Sequence, residues 1–139
     1  VGVMAQMVKL YKQFRCSIVA IQEVDGADIE KFGVVEGEKL KEGIFRVSNM
    51  VEKPKLADAP SNLAVIGRYI LTPDIFDILE KTPPGKGGEI QLTDALMQQA
   101  QEGAVLAYRF KGTRYDCGSV EGFIEATNYV YENIYRQPK

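Results

Sequence analysis

The 139-residue sequence contains no histidine, and its two cysteines, Cys16 and Cys117, stand far apart and form no CxxC pair. Catalysis by histidine and zinc sites built from imidazole or thiolate are therefore not expected. No apolar run approaches the ~20 residues needed to cross a bilayer. The opening Val1-Gly2-Val3-Met4 has neither the basic flank nor the cleavage pattern of a signal peptide. Neither charge sign is in excess: 17 basic residues face 19 acidic ones, for a net charge of -2, and the pI is near 5.3. That balance excludes a generic basic nucleic-acid module. The expectation is a soluble, cytoplasmic chain with two reduced thiols and no membrane or nucleic-acid partner. What remains for chemistry is carboxylate, lysine, arginine, backbone amide or an oxygen-ligated metal.

What is present suffices for one ordinary domain with a core and no covalent staple. Met4, Met7, Val8 and Tyr11 follow the i, i+3, i+4, i+7 spacing of an amphipathic helix. No capping residue or initiator methionine precedes it, so the helix is expected to have been cut from something longer. The apolar run Ser17 to Val24 reads as a strand covered on both faces. Helix followed by buried strand is half of a βαβ unit, whose first strand is expected outside this chain.

After the turn Asp25-Gly26-Ala27-Asp28, the stretches Gly33 to Glu38 and Ile44 to Val51 alternate as hairpin strands, with polar residues 39–43 between them. A further strand is expected over 62–71. Thr72-Pro73-Asp74 then reads as a helix start, with Thr72 as N-cap and Ile75, Phe76, Ile78 and Leu79 forming the apolar face. Thr82 to Gly88 has the composition of a mobile loop. A helix is expected from Glu89 to near Gly103, a strand over 105–110, and a last helix with Phe123, Ala126, Thr127, Val130 and Ile134 on one side. This order predicts an α/β fold with a mixed sheet flanked by helices.

Several residues suit chemistry. Glu52-Lys53 ends a strand, where ligands of α/β sheets collect: a lysine there meets phosphate and a carboxylate accepts from sugar hydroxyls. A solvated Glu-Lys-Pro-Lys turn is the plain alternative. Asp116, among small residues, suits Mg²⁺ held together with substrate phosphates, or else caps the last helix, although Ser119 fills that position better. Gly33 either presents a bare amide to a ligand or only permits a bend. Glu89 either reaches a ligand or serves as a first-turn acid of the helix behind it. Lys86 among glycines does not have P-loop spacing. Leu40-Lys41-Glu42 and the tail Arg136-Gln137-Pro138-Lys139 read as solvated charge.

In series, Phe32-Gly33-Val34-Val35, Val51-Glu52-Lys53-Pro54, Gly67-Arg68-Tyr69-Ile70-Leu71, Gly88-Glu89-Ile90-Gln91-Leu92-Thr93-Asp94-Ala95 and Tyr115-Asp116-Cys117-Gly118 carry more than any one alone. Over essentially the whole chain they resemble the C-terminal half of the bacterial UTP:glucose-1-phosphate uridylyltransferases, the UDP-glucose pyrophosphorylases of the sugar-nucleotide transferase family. The resemblance implies a partial Rossmann-like nucleotidyltransferase fold, in which residues 1–139 form the C-terminal, sugar-phosphate-binding portion of a single domain. It implies transfer of a uridylyl group from UTP to glucose-1-phosphate, giving UDP-glucose and pyrophosphate, by an enzyme that uses Mg²⁺ and self-associates as a homo-oligomer.

By the same resemblance Lys53 contacts the sugar's phosphate, Glu52 accepts from glucose hydroxyls, the Gly33 amide meets the sugar, Glu89 lies on the sugar side, and Asp116 is the second Mg²⁺ carboxylate. The family's glycine-rich nucleotide loop and first metal aspartate have no counterpart here, so activity of this chain alone is not expected. Val120-Glu121-Gly122 stands where many members carry Lys-Leu-Gly, so that lysine's role is not transferred. A thymidylyl or adenylyl transferase using the same sugar phosphate is the alternative within the family. A non-catalytic sugar-phosphate-binding module is the alternative outside it.

Overall fold

A computed structural model describes residues 1–136; the tail positions Gln137, Pro138 and Lys139, assigned above to solvated charge, lie outside the described residues. Helix α1 spans Val3–Phe14 and buries Met7 completely. It stops where Arg15 turns left-handed (φ 53°) and its N–H donates to the Tyr11 carbonyl at 2.9 Å, a local closure of the last turn. Strand β1, Ser17–Glu23, is buried over its first five residues, as a strand covered on both faces must be. Its alternate side chains serve two layers. Ile18 and Ala20 pack with Met7, Ile44 and Leu106 under α1, while Val19 and Ile21 join the main core on the other face.

Strands β2 (Gly33–Lys41) and β3 (Ile44–Glu52) form the hairpin, followed by β4 (Leu63–Ile70). Helices α2 (Ile75–Lys81) and α3 (Leu92–Glu102) cover the main core with Ile75, Ile78, Ala95 and Leu96. Strand β5 (Val105–Arg109) and helix α4 (Val120–Val130) complete the order, with a single π turn over Tyr131–Tyr135. The five strands run β1-β4-β2-β3-β5 and close on themselves, because β5 pairs parallel with β1 and antiparallel with the start of β3. Only the β1–β5 pair is parallel, so the sheet is mixed as expected. Arg109 fastens the closure by donating both to Glu23 at the end of β1 and to Glu42 in the hairpin turn.

The structure corrects several local expectations. The hairpin connection is not five residues long: β2 runs on to Lys41, and only Glu42 and a left-handed Gly43 (φ 71°) make the turn. The Asp25-Gly26 turn is a 3-10 helix over Gly26–Lys31. Thr72 does not cap α2, which begins at Ile75. Its N–H donates to Ser17 Oγ at 3.0 Å, and its hydroxyl accepts from Gln99 Nε2 at 2.9 Å, so a tertiary network takes the group a cap would have used. Phe76 faces solvent rather than the core. The apolar side of α4 does not reach the core either: Gly122 is its one buried residue. Phe123, Ile124, Tyr131 and Ile134 are each more than half exposed.

Candidate functional site

Strand register assembles the site. Gly33 opens β2 and stands directly across from Glu52, the last residue of β3. The next residue, Lys53, donates its N–H to the Phe32 carbonyl at 3.0 Å, which makes Gly33 and Glu52 a non-hydrogen-bonded pair. Such a pair brings the two positions closest together and turns the Gly33 N–H away from β3. Pairing of β2 with β4 begins only at Val34, opposite Ala64. The Gly33 amide therefore lies at a corner of the sheet, turned away from β3, in a residue that is itself buried.

The absence of a side chain at Gly33 is what admits the carboxylate. A Cβ there would lie 3.0 Å from Glu52 Oε2 and 3.7 Å from Thr93 Oγ1. Thr93, buried in the first turn of α3, donates its hydroxyl to that same Glu52 oxygen at 2.5 Å. Gly33, Glu52 and Thr93, with Phe32 and Tyr69, line a cavity of about 240 Å³. Burial first, and then the Glu52 carboxylate, push the Tyr69 phenol up from its ordinary pKa.

Lys53 sits beside this cavity in a left-handed backbone conformation (φ 43°) unusual for a lysine. Its main chain is held at both ends: the N–H by Phe32, and the carbonyl by the ammonium of Lys86. Lys86 comes from the glycine-rich segment, which is not an open loop. It forms a 3-10 turn over Lys86–Gly88, with the Gly85 N–H donating to the Glu89 carbonyl at 2.8 Å and Gln91 Nε2 donating to the Lys86 carbonyl at 3.1 Å. Lys53, Lys55 and Lys86 surround, with Glu52, Asp58 and Asp94, a groove of about 460 Å³. The three ammonium groups are matched by three carboxylates, and Lys86 is already bound to the Lys53 carbonyl, so the groove has no net positive charge; what it offers a phosphorylated polyol is local, an ammonium for phosphate at Lys53 or Lys55 and a carboxylate for hydroxyls at Glu52.

Glu89 lines neither cavity and is exposed. It is not a first-turn acid, because left-handed Gly87 and Gly88 carry the chain through an extended stretch and α3 starts only at Leu92. Asp94 holds the first-turn place.

Asp116 lies on the loop between β5 and α4. One of its oxygens accepts from the Gly118 N–H at 3.0 Å and the other from Arg114 at 2.9 Å. The Gly118 amide, then Arg114, hold its carboxyl below the usual carboxylate range. It does not cap α4; Ser119 does, accepting from the Gly122 N–H at 3.1 Å. Arg114 stacks over Phe32, its guanidinium carbon 5.4 Å from the ring centroid, which brings the Asp116 loop to the Gly33 end of the site. Among the described residues no three acidic or cysteine side chains gather as a metal cluster. Asp116 is ionised, exposed and retains lone pairs, so it fits as one carboxylate ligand of a cation completed by other groups.

Of the residues whose types and positions suit chemistry in the sequence, Gly33, Glu52 and Lys53 meet at one strand end, the Asp116 loop approaches it through Arg114 and Phe32, and Glu89 stands apart; Thr93 and the Lys86 contact join them only in the fold. Thr93 gave no signal apart from its place in the Glu89 to Ala95 run. Lys86 was visible only as a cation among glycines.

This constellation, on a mixed sheet flanked by helices, defines a class. The chain belongs to the nucleotidyl transferase family, whose sequence profile matches residues 3–133. Within that class it is similar to the UTP--glucose-1-phosphate uridylyltransferase of Pseudomonas aeruginosa, at 69% identity over 99% of this chain and 50% of that protein. A crystal structure of a UDP-glucose pyrophosphorylase complexed with UDP-glucose superposes with a TM-score of 0.88 at 61% identity, over 94% of this chain and 49% of the other. A UTP-bound UGPase from Acinetobacter baumannii superposes with a TM-score of 0.79 at 32% identity, over 96% of this chain and 48% of the other. The chain thus spans about half the length of the curated relatives it matches.

Proposed function

We propose that this chain is the sugar-phosphate side of a UTP:glucose-1-phosphate uridylyltransferase, residues 1–139 corresponding to the C-terminal portion of its catalytic domain. The observation that carries the reading is the Gly33–Glu52 register pair with Lys53 immediately beyond it. In the reaction, a phosphate oxygen of glucose-1-phosphate attacks the α-phosphorus of UTP and pyrophosphate leaves. Such in-line transfer asks the protein to position two polyanions and to offset their charge, which a histidine-free site can do.

Glu52 accepts hydrogen bonds from glucose hydroxyls, and the Gly33 N–H at the sheet corner donates to the sugar. Lys53 pairs with the sugar's phosphate, its backbone strain sustained by the Phe32 and Lys86 contacts. Asp116 would be this chain's ligand to Mg²⁺, whose bound charge offsets that of the phosphate oxygens. Glu89 keeps only the sugar-side place that the family resemblance gives it, since it lines neither cavity. A cytoplasmic location belongs to this reading because its substrates are phosphorylated metabolites, and the exposed apolar side of α4 supports self-association. Among the described residues no helix is long and apolar enough to cross a membrane.

The test is Lys53→Ala in a full-length enzyme carrying this sequence. Loss of a preorganised cation at a transferring phosphate is expected to lower kcat/KM for glucose-1-phosphate by about 100-fold or more. Wild-type kcat/KM in that variant would overturn the assignment.

A further inference from the structure

We propose that Thr93 is a positioning residue that sets which oxygen of Glu52 the sugar meets; the inference rests on the functional reading above. Two contacts converge on Glu52 Oε2. The Thr93 hydroxyl donates to it at 2.5 Å, and it lies close over Gly33, where a Cβ would fall at 3.0 Å and crowd it. No protein donor reaches Oε1 among the described residues. One oxygen is anchored and the other is left to a ligand. A carboxylate oxygen only accepts, so it selects a hydroxyl hydrogen at one place on the sugar ring.

The anchor is stiff for reasons that can be read in the chain. Threonine is β-branched, which restricts χ1, and Thr93 is 9% exposed. It sits in the first turn of α3, whose neighbours Ala95 and Leu96 lie in the same core cluster as Val47 and Met50 of β3. The hydroxyl and the carboxylate are therefore carried by two elements packed directly against each other. A group held this way fixes an acceptor to within a few tenths of an ångström, the tolerance that oriented recognition demands. Without the anchor, the carboxylate swings among rotamers and accepts less selectively.

The experiment uses the full-length enzyme with Thr93→Val, Thr93→Ser, Glu52→Gln and the Thr93→Val/Glu52→Gln double variant. KM and kcat are measured for glucose-1-phosphate, for its singly deoxygenated analogues and for UTP. Thr93→Val is expected to reduce kcat/KM for glucose-1-phosphate by about tenfold or more, and to leave the KM for UTP within about twofold. It should also flatten the preference for glucose-1-phosphate over the deoxy analogue that lacks the recognised hydroxyl. Thr93→Ser restores the donor and should recover most of the loss. Once Glu52→Gln is present, adding Thr93→Val should cost less than it does alone.

Equal damage by Val and Ser with matched losses of thermal stability would make Thr93 a packing residue and overturn the proposal. So would a wild-type Thr93→Val beside an impaired Glu52→Gln, which leaves the functional reading standing. An unimpaired Glu52→Gln would overturn the functional reading itself.

Discussion

Gly33→Ala puts one methyl group where two independent features of the site meet. Its Cβ would fall 3.0 Å from Glu52 Oε2, a contact tighter than side chains ordinarily make, so the carboxylate must yield by a few tenths of an ångström. It cannot yield freely, because Thr93 holds the same oxygen at 2.5 Å. If Glu52 gives way, the strain is relieved by misplacing the group that must meet the sugar, and a misplacement of up to about 1 Å is expected to lower sugar-dependent kcat/KM by up to about 100-fold. Stability should move less. Gly33 has no left-handed φ, so alanine gains about 0.4–1 kcal/mol by restricting the unfolded chain, which offsets part of the strain. The assay is steady-state kinetics of the full-length enzyme with glucose-1-phosphate varied, alongside a thermal melt. The expected signature is a fall in kcat/KM out of proportion to the change in Tm. A Gly33→Ala enzyme with wild-type sugar kinetics would refute the reasoning, since it would mean that neither the crowding at Oε2 nor the Gly33 corner governs binding.

Two other perturbations probe the scaffold. Gly37 follows an irregularity in the β2–β3 ladder, and a Cβ there would stand 2.3 Å from the Arg46 carbonyl oxygen; Gly37→Ala should therefore cost about 1–3 kcal/mol and several degrees of Tm, and an unchanged melt would contradict it. Asp74 accepts from Gln99 at 2.8 Å, and its carboxyl is held low by the Thr72 hydroxyl first and the Gln99 amide second. Because its folded-state pKa is depressed, its contribution is present above the unfolded value of 3.8 and is lost as pH falls through the folded-state pKa. Asp74→Ala should accordingly be less stable than wild type near about pH 6, with the gap narrowing as pH falls below 3.8 and through the depressed folded-state pKa. A gap independent of pH would show that ionisation of Asp74 does not contribute.

Burial explains the run of β1, apolar where both faces are covered, but the hairpin strands do not keep the expected alternation: β2 is buried at three successive residues, Gly33 to Val35, and β3 at Ile44, Val47 and Met50, with register shifts along the ladder. The Glu52-Lys53 strand end was readable, since Pro54 marks where the strand must stop. What local pattern misses is set by partners distant in the chain. The Thr72 hydroxyl would cap α2 in isolation, but Ser17 and Gln99 compete for it across 55 and 27 residues. Closure of the sheet depends on β5 meeting two strands, a fact with no local trace. Thr93 is one threonine near a helix start until α3 packs on β3 and its hydroxyl finds Glu52. Helical spacing put Phe123, Val130 and Ile134 on one side of α4, and spacing alone could not distinguish a face that meets this core from one that does not.

Helix α4 divides the chain energetically. It is joined to the rest through the Ser119 cap, the seat of Gly122 against the Asp116 carbonyl, and the Tyr115–Tyr129 ring pair at 5.3 Å. With so little area committed, opening α4 costs a fraction of global unfolding, and its amides should exchange with solvent well before those of β1. The Asp116 end of the loop, which shares the α4 cap through Ser119, loosens with it even though Gln6 and the Arg114–Phe32 contact tether the loop's start, whereas Glu52 and Lys53 stay on the strand ladder. Whatever binds across both must draw on the closed population of the helix, and its apparent affinity falls by that fraction. The two carboxylates of the proposed site would thus differ in durability, Glu52 lasting as long as the sheet and Asp116 only as long as a lightly anchored helix.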